Sequence, residues 1–180
     1  MTTFTNIVHD QPVRAVLNRL AERSENMQSD LRAIGDGIVD RAKRRFETSS
    51  GPDDQPWKPN ASATLGLLAA RLGKSYRKKS GDLNAAGERR LAGKKPLIDP
   101  MSAGDLRRQI VAEATGSEAR ISVLPKYAAI HQFGGKAGRG LKVEIPARPY
   151  LPVRLDGSLY PQESALIVDA INDMLLDALD

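Results

Sequence analysis

Six apolar side chains, Met27, Leu31, Ile34, Ile38, Ala42 and Phe46, follow one another at steps of three and four. On an α-helix those steps draw one continuous stripe about five turns long. Such a stripe must be covered, so the rest of the chain has to supply a surface for it. Gly35 and Gly37 lie inside the pattern and lower its helix propensity slightly. They also allow a neighbour to approach closely.

The covering surface is predicted further along, where the period changes to two. Leu106, Arg108, Ile110, Ala112 and Ala114 alternate with Arg107, Gln109, Val111, Glu113 and Thr115, which fits a strand. Residues 115–118 read as a turn. Ile121 and Val123 then face one way, with Arg120, Ser122 and Leu124 opposite, as the hairpin partner. Leu141, Val143 and Ile145 against Lys142 and Glu144 predict a third strand. The period then returns to helical. Leu166/Ile167, Ala170/Ile171, Met174/Leu175 and Ala178/Leu179 recur every four residues, and Pro161 and Glu163 suit the positive end of that helix. At the other end Val13, Val16, Leu17 and Leu20 mark an amphipathic N-terminal helix over 12–23, with Pro12 in its first turn.

The expected fold class is therefore α+β: an antiparallel β-sheet with long helices packed on it, a C-terminal helix over 161–179 against the sheet, and extended loops. The 180 residues suffice for one self-supporting domain, 1–180. Aromatics make up only 4%, so Leu, Ile, Val and Ala must carry most of the core. Trp57, the lone tryptophan, stands in the turn-rich run 48–60 and is expected to plug the local core.

Charge is unevenly spread. The net charge is +5 and the pI about 9.6. Arg71, Lys74, Arg77, Lys78, Lys79, Arg89, Arg90, Lys94 and Lys95 crowd into residues 71–95, against Asp82 and Glu88. With Gly73, Gly81, Gly87 and Gly93 interspersed, this stretch is expected to be a flexible, poorly packed insertion. After Arg154 the chain carries Asp156, Glu163, Asp169, Asp173, Asp177 and Asp180 and no further Lys or Arg. A basic segment and an acidic end can each be a solvated face, or meet across subunits, and the basic one can meet nucleic acid.

Several chemistries are excluded or unsupported. Without cysteine there is no disulfide, thiolate metal site or cysteine nucleophile. His9 and His131 are the only imidazoles, and their spacing suggests no metal site. His131 has no nucleophile motif beside it, and Gly134-Gly135 is no phosphate loop, since no Lys-Ser/Thr follows. No catalytic residue, metal or cofactor is expected. Residues 1–10 lack the basic start and apolar run of a signal peptide, and no apolar stretch approaches a membrane span.

Three stretches carry more specific information. They are Gly51-Pro-Asp-Asp-Gln-Pro-Trp57-Lys-Pro-Asn-Ala-Ser-Ala-Thr64, then Tyr127-Ala-Ala-Ile-His131-Gln-Phe133-Gly-Gly135, then Ile145-Pro-Ala-Arg148-Pro149-Tyr150-Leu151. The second reads as a short helix stopped by Gly134 and Gly135, with Tyr127, Ile130, His131 and Gly134 on one face. The loop 134–140 reads as mobile. In the third, Pro146 and Pro149 stiffen an extended backbone that projects Arg148, a residue suited to a two-toothed pair with a carboxylate. That pair can lie within the chain or between subunits. His131 is expected half-buried and bonded to backbone.

In this order the three stretches resemble the phage virion morphogenesis, or tail-completion, proteins of Mu-like tailed phages, over roughly residues 28–179. The chain departs from the family's Thr-Gly-Xaa-Leu turn before the first strand, where residues 96–106 read differently. The resemblance implies a structural virion protein, not an enzyme, that acts in tail completion or head–tail joining as a ring-forming connector or tail-terminator-like component. It implies a homo-oligomer, with hexameric rings expected. Its partners would be other neck and tail proteins: connector or adaptor, tail terminator and tail tube. DNA passing the lumen would meet it non-specifically, and no membrane is involved. The location implied is the virion neck or tail, after assembly in the host cytoplasm. Tyr127, His131, Phe133, Gly134, Gly135, Arg148, Pro149 and Tyr150 are the expected subunit or neighbour interface. The rival reading is a basic nucleic-acid-binding module, against which stands the lack of aromatics among the basic residues.

Overall fold

The computed structural model describes residues 11–25, 27–98 and 105–177. Among them, six α-helices and two small antiparallel sheets make an α+β domain. The central element is α2 (Gln28–Thr48), 21 residues long, which buries Gly35, Ile38, Val39, Ala42, Arg45 and Phe46. It lies on the hairpin of β1 (Ile110–Ala114) and β2 (Ala119–Val123). The register pairs Ile110 with Val123 and Ala112 with Ile121, so the alternating apolar positions share the face under α2. Gly35 explains how close the two layers come: a Cβ there would sit 3.1 Å from the Ala112 Cβ. The turn after β1 closes through the Thr115 N–H on the Glu118 carbonyl, as the sequence suggested.

The strand pattern from Leu106 began too early. Residues Leu106–Gln109 form a 3₁₀ turn in which the Asp105 carboxylate accepts from the Arg107 N–H. Strand spacing and two successive tight turns are hard to tell apart over so few residues.

The third strand joins a different sheet. β4 (Val143–Ile145) pairs with β3 (Gly135–Ala137), with Gly135 opposite Ile145. Thus 134–140, expected as a mobile loop, holds a strand and part of a 3₁₀ turn, Arg139–Leu141. Leu141 lies in that turn and Val143 on the strand, and both are exposed, so the alternation there marks no core face.

The C-terminal helix, α6 (Pro161–Asp177), forms as expected, and Leu179 lies outside the described residues. It packs against α2 and not flat on the sheet. The joint is polar: buried Glu163 takes Arg41 Nε at 2.9 Å and Arg45 Nη2, while Arg45 Nη1 reaches the Tyr150 carbonyl at 2.8 Å. Burial pulls the Arg45 pKa down and Glu163 pushes back. The N-terminal helix, α1 (Gln11–Glu25), is tied to the start of α2 by Arg23 on Asp30 at 2.8 Å.

The core gathers Val39, Ala42, Phe46, Trp57, Leu106, Ile110, Ala128 and Tyr150. Phe46 stands edge-on to Trp57 with ring centroids 5.4 Å apart, and tilted on Tyr150 at 5.2 Å. With so few aromatics, three of them meet at one point, where each contributes the most buried area per residue.

Candidate interaction surface

The three sequence stretches fold into one hydrogen-bonded unit. After α2 the chain turns tightly, with the Gly51 N–H on the Gln55 carbonyl and the Trp57 N–H on the Ser49 carbonyl, both 2.8 Å. That turn drops Trp57 onto Phe46, as a core plug. Its indole Nε1 donates to the Pro149 carbonyl at 3.0 Å, joining the first stretch to the third. Arg148 joins them again: Nε donates to the Lys58 carbonyl and Nη2 to the Pro59 carbonyl, each at 2.8 Å.

The second stretch forms α5 (Ala128–Phe133), which ends at Gly134 with φ 75°. A Cβ at Gly134 would stand 2.9 Å from the Ala147 nitrogen, so the position needs glycine twice over. The Arg148 N–H donates to the His131 carbonyl at 2.8 Å, and the Tyr150 hydroxyl to the Ala128 carbonyl at 3.1 Å. Gln132 does more than any of these. Its buried amide oxygen accepts from the N–H groups of Tyr150 and Leu151, both 2.9 Å. Its Nε2 donates to the carbonyls of Leu151 and Val153.

These contacts sort the expected interface residues. Arg148 is 6% exposed and Tyr150 1%, so both are internal. Arg148 meets main-chain carbonyls of its own chain and no carboxylate; two prolines leave the local backbone short of donors, and the arginine locks the loop beside it instead. Pro149 is partly buried, its carbonyl taken by Trp57. Burial pushes the Tyr150 hydroxyl up to about 12. Tyr127, Phe133 and Gly135 do reach solvent, and His131 and Gly134 are half-buried. The face of α5 turned to the core is Ala128 and Gln132, one turn apart.

His131 stacks edge-on against Tyr127 with centroids 5.7 Å apart. Its Nδ1 is buried and has no hydrogen-bond partner, which corrects the expected backbone bond of the ring. Burial, and then the charge of Arg148, lowers its pKa. His9 lies outside the described residues. Among the described residues no three His, Asp or Glu gather as a metal would require, and no helix is long and apolar enough to cross a membrane.

On the outside of this unit lies a groove of about 600 Å³. Lys58, Pro59 and Thr64 of the first stretch form one wall, Tyr127 and His131 of the second another, and Ile145, Pro146 and Arg148 of the third line it with Val143 of β4. Leu97, Ile98 and Leu106 add apolar surface.

Residues 71–95 adjoin the groove and are not irregular. α3 (Ser62–Arg71), a 3₁₀ turn and α4 (Ala85–Ala92) form a small helical unit whose Lys94, with Ala61 and Ala63 before and within α3, also lines the groove. Arg77 is its inner clasp, donating to the carbonyls of Ala69 and Gly81 at 2.7 Å. Asn84 caps α4 and also holds the Ser75 carbonyl at 2.9 Å. Gly87 lets α4 sit against the Tyr76 carbonyl. Lys94 Nζ and Lys95 Nζ bond the carbonyls of Ile98 and Glu47. Arg71, Lys74, Lys78, Lys79, Arg89 and Arg90 remain exposed, and none joins an ion pair among the described residues.

A model of the phage virion morphogenesis family matches residues 8–175, nearly the whole chain and α1 with it. The chain belongs to that family. A curated relative, the Mu-like prophage FluMu G protein 2 of Haemophilus influenzae, is 32% identical over 163 residues, covering 91% of this chain and 88% of the relative. No solved structure matches. The match takes in all three stretches that line the groove. In this phage virion morphogenesis protein the three stretches thus lie together at one surface. What the sequence did not reveal is that Gln132 and the Arg45–Glu163 pair hold that surface up. Gln132 lies one turn beyond Ala128 on the same face of α5, which was the available signal.

Proposed function

We propose that this phage virion morphogenesis protein acts without catalysis, in tail completion or head–tail joining, as a ring-forming component of the neck or tail. Its working partners in this reading are copies of itself and the connector, terminator or tail-tube proteins beside the ring. One observation carries the reading: the three stretches build one hydrogen-bonded groove, open to solvent, beside a basic unit whose exposed cations join no ion pair among the described residues. A groove cross-linked by main-chain hydrogen bonds and flanked by exposed positive charge suits docking by shape and charge. A ring requires two different complementary patches on each subunit, because its contacts are head-to-tail. The test is electron microscopy of particles assembled without the protein. Full heads beside unattached or unfinished tails are expected; intact virions would overturn the reading.

A second reading, a nucleic-acid-binding module, is favoured by the six exposed cations of the α3–α4 unit alone. Retention of duplex DNA by the purified protein at moderate salt, falling steeply as salt rises, would support it.

A further inference from the structure

The outward side of α6 mixes two chemistries. Asp169, Asp173 and Asp177 stand at steps of four on one exposed stripe, and none joins an ion pair among the described residues. Beside them Leu166 is 48% exposed and Leu176 59%. Glu163, by contrast, is spent inward on Arg41 and Arg45. A helix of this length does not need exposed leucines between its aspartates for solubility, so the face reads as half of a contact.

The complementary half is on the same subunit. The groove offers apolar side chains, Leu97, Ile98, Val143 and Ile145, with Val143 53% exposed. Its wall continues into the α3–α4 unit, whose exposed cations join no ion pair among the described residues. Apolar floor meets leucine, and exposed lysine and arginine meet aspartate. The two halves are distinct patches, and α6 packs on α2 and not across the groove.

We infer that the outward face of α6 in one copy docks on the groove and the adjoining basic unit of the next copy, with the leucines seated in the groove and the aspartates on the cations. The contact is head-to-tail and therefore repeats from copy to copy. This rests on the ring reading above and names the joint. Burying the leucines gives it affinity, while the charges set orientation and register.

The cysteine-free chain allows a direct test. Leu176→Cys and Val143→Cys are made in separate proteins, each checked for native circular dichroism, then mixed and oxidised. A disulfide-linked pair is expected from the mixture and from neither protein alone. Leu166→Cys with Lys58→Cys is the second combination, so failure of one variant to fold does not end the test. In parallel, the triple variant Asp169→Lys, Asp173→Lys, Asp177→Lys should weaken self-association at least tenfold by light scattering at low salt. Oligomers that form without a crosslink in either mixture would overturn this joint and leave the ring reading standing. A crosslink within one variant alone would mean a two-fold contact and would overturn it too. A protein monomeric at every concentration, or one whose basic unit retains DNA while the triple variant self-associates normally, would also overturn it.

Discussion

Glu163, in the first turn of α6, closes on Arg45, in the last turns of α2, across 118 residues of chain. Both side chains are buried, and Arg41 approaches the same carboxylate at 2.9 Å. The pair fixes the angle at which α6 leaves the body, and Arg45 carries the restraint onward to the Tyr150 carbonyl. Removing one partner of a buried pair leaves the other charge stranded. Glu163→Gln should therefore cost about 3–5 kcal/mol. The urea midpoint measures it, and a loss below about 1 kcal/mol would show that the pair is not holding the helix.

Arg148→Ala should act on folding before assembly. Its two bonds to the Lys58 and Pro59 carbonyls are charge-assisted, each worth about 1.5–3 kcal/mol. The expected loss is at least about 3 kcal/mol in chemical denaturation, with Arg148→Lys intermediate because a point charge cannot hold both carbonyls at the fork's spacing. A fully stable Arg148→Ala protein would contradict the assignment.

Gln132→Leu keeps the volume and removes four hydrogen bonds to the chain from Tyr150 to Val153. At about 0.5–1.5 kcal/mol each, the loss should be about 2–6 kcal/mol. Amide exchange is the sharper reading. The N–H groups of Tyr150 and Leu151 should exchange much faster in the variant, with β1 and β2 little changed.

His131 supplies a pH dependence. Burial lowers its folded pKa below the unfolded value of 6.5, so the unfolded chain binds more protons in the window between the two. Stability from this group is complete above pH 6.5 and is lost as pH falls through the folded pKa. Thermal melts of the wild-type protein should weaken across that window more than those of His131→Asn. Parallel slopes would show that His131 is not the group responsible.

The longest elements were legible because their signals were strong and local. The stripe from Met27 to Phe46 became α2, and the Ile110–Ala114 and Ile121–Val123 alternation became the hairpin beneath it. The groove was legible only in part. Tyr127, His131 and Phe133 were found at its edge or near it, yet Arg148 and Tyr150 proved internal. A charged residue in a proline-stiffened stretch looks alike whether it faces solvent or the carbonyls of a distant main-chain segment; long-range hydrogen bonds decide, and they have no sequence period. In residues 71–95 the short helices were hidden for a related reason, although α3 and α4 bury little beyond Gly87. Glycine and charge resemble a loosely held insertion, but the Arg77 guanidinium donates to main-chain carbonyls and the Asn84 amide both donates to one and accepts from two main-chain N–H groups, which ties a small helical unit together.

Because Arg148 binds the Lys58 and Pro59 carbonyls and not a neighbour, the genetics of this region has a direction. A screen for phage that fail to assemble will score Arg148, Tyr150 and Gln132 as strongly as true contact residues. Their second-site revertants, however, should arise within the same gene, in the loop from Trp57 to Asn60 or along α5. Revertants in the genes of adjoining virion proteins should instead trace back to exposed positions on the groove rim, so suppressor location separates scaffold from contact where lost infectivity alone does not.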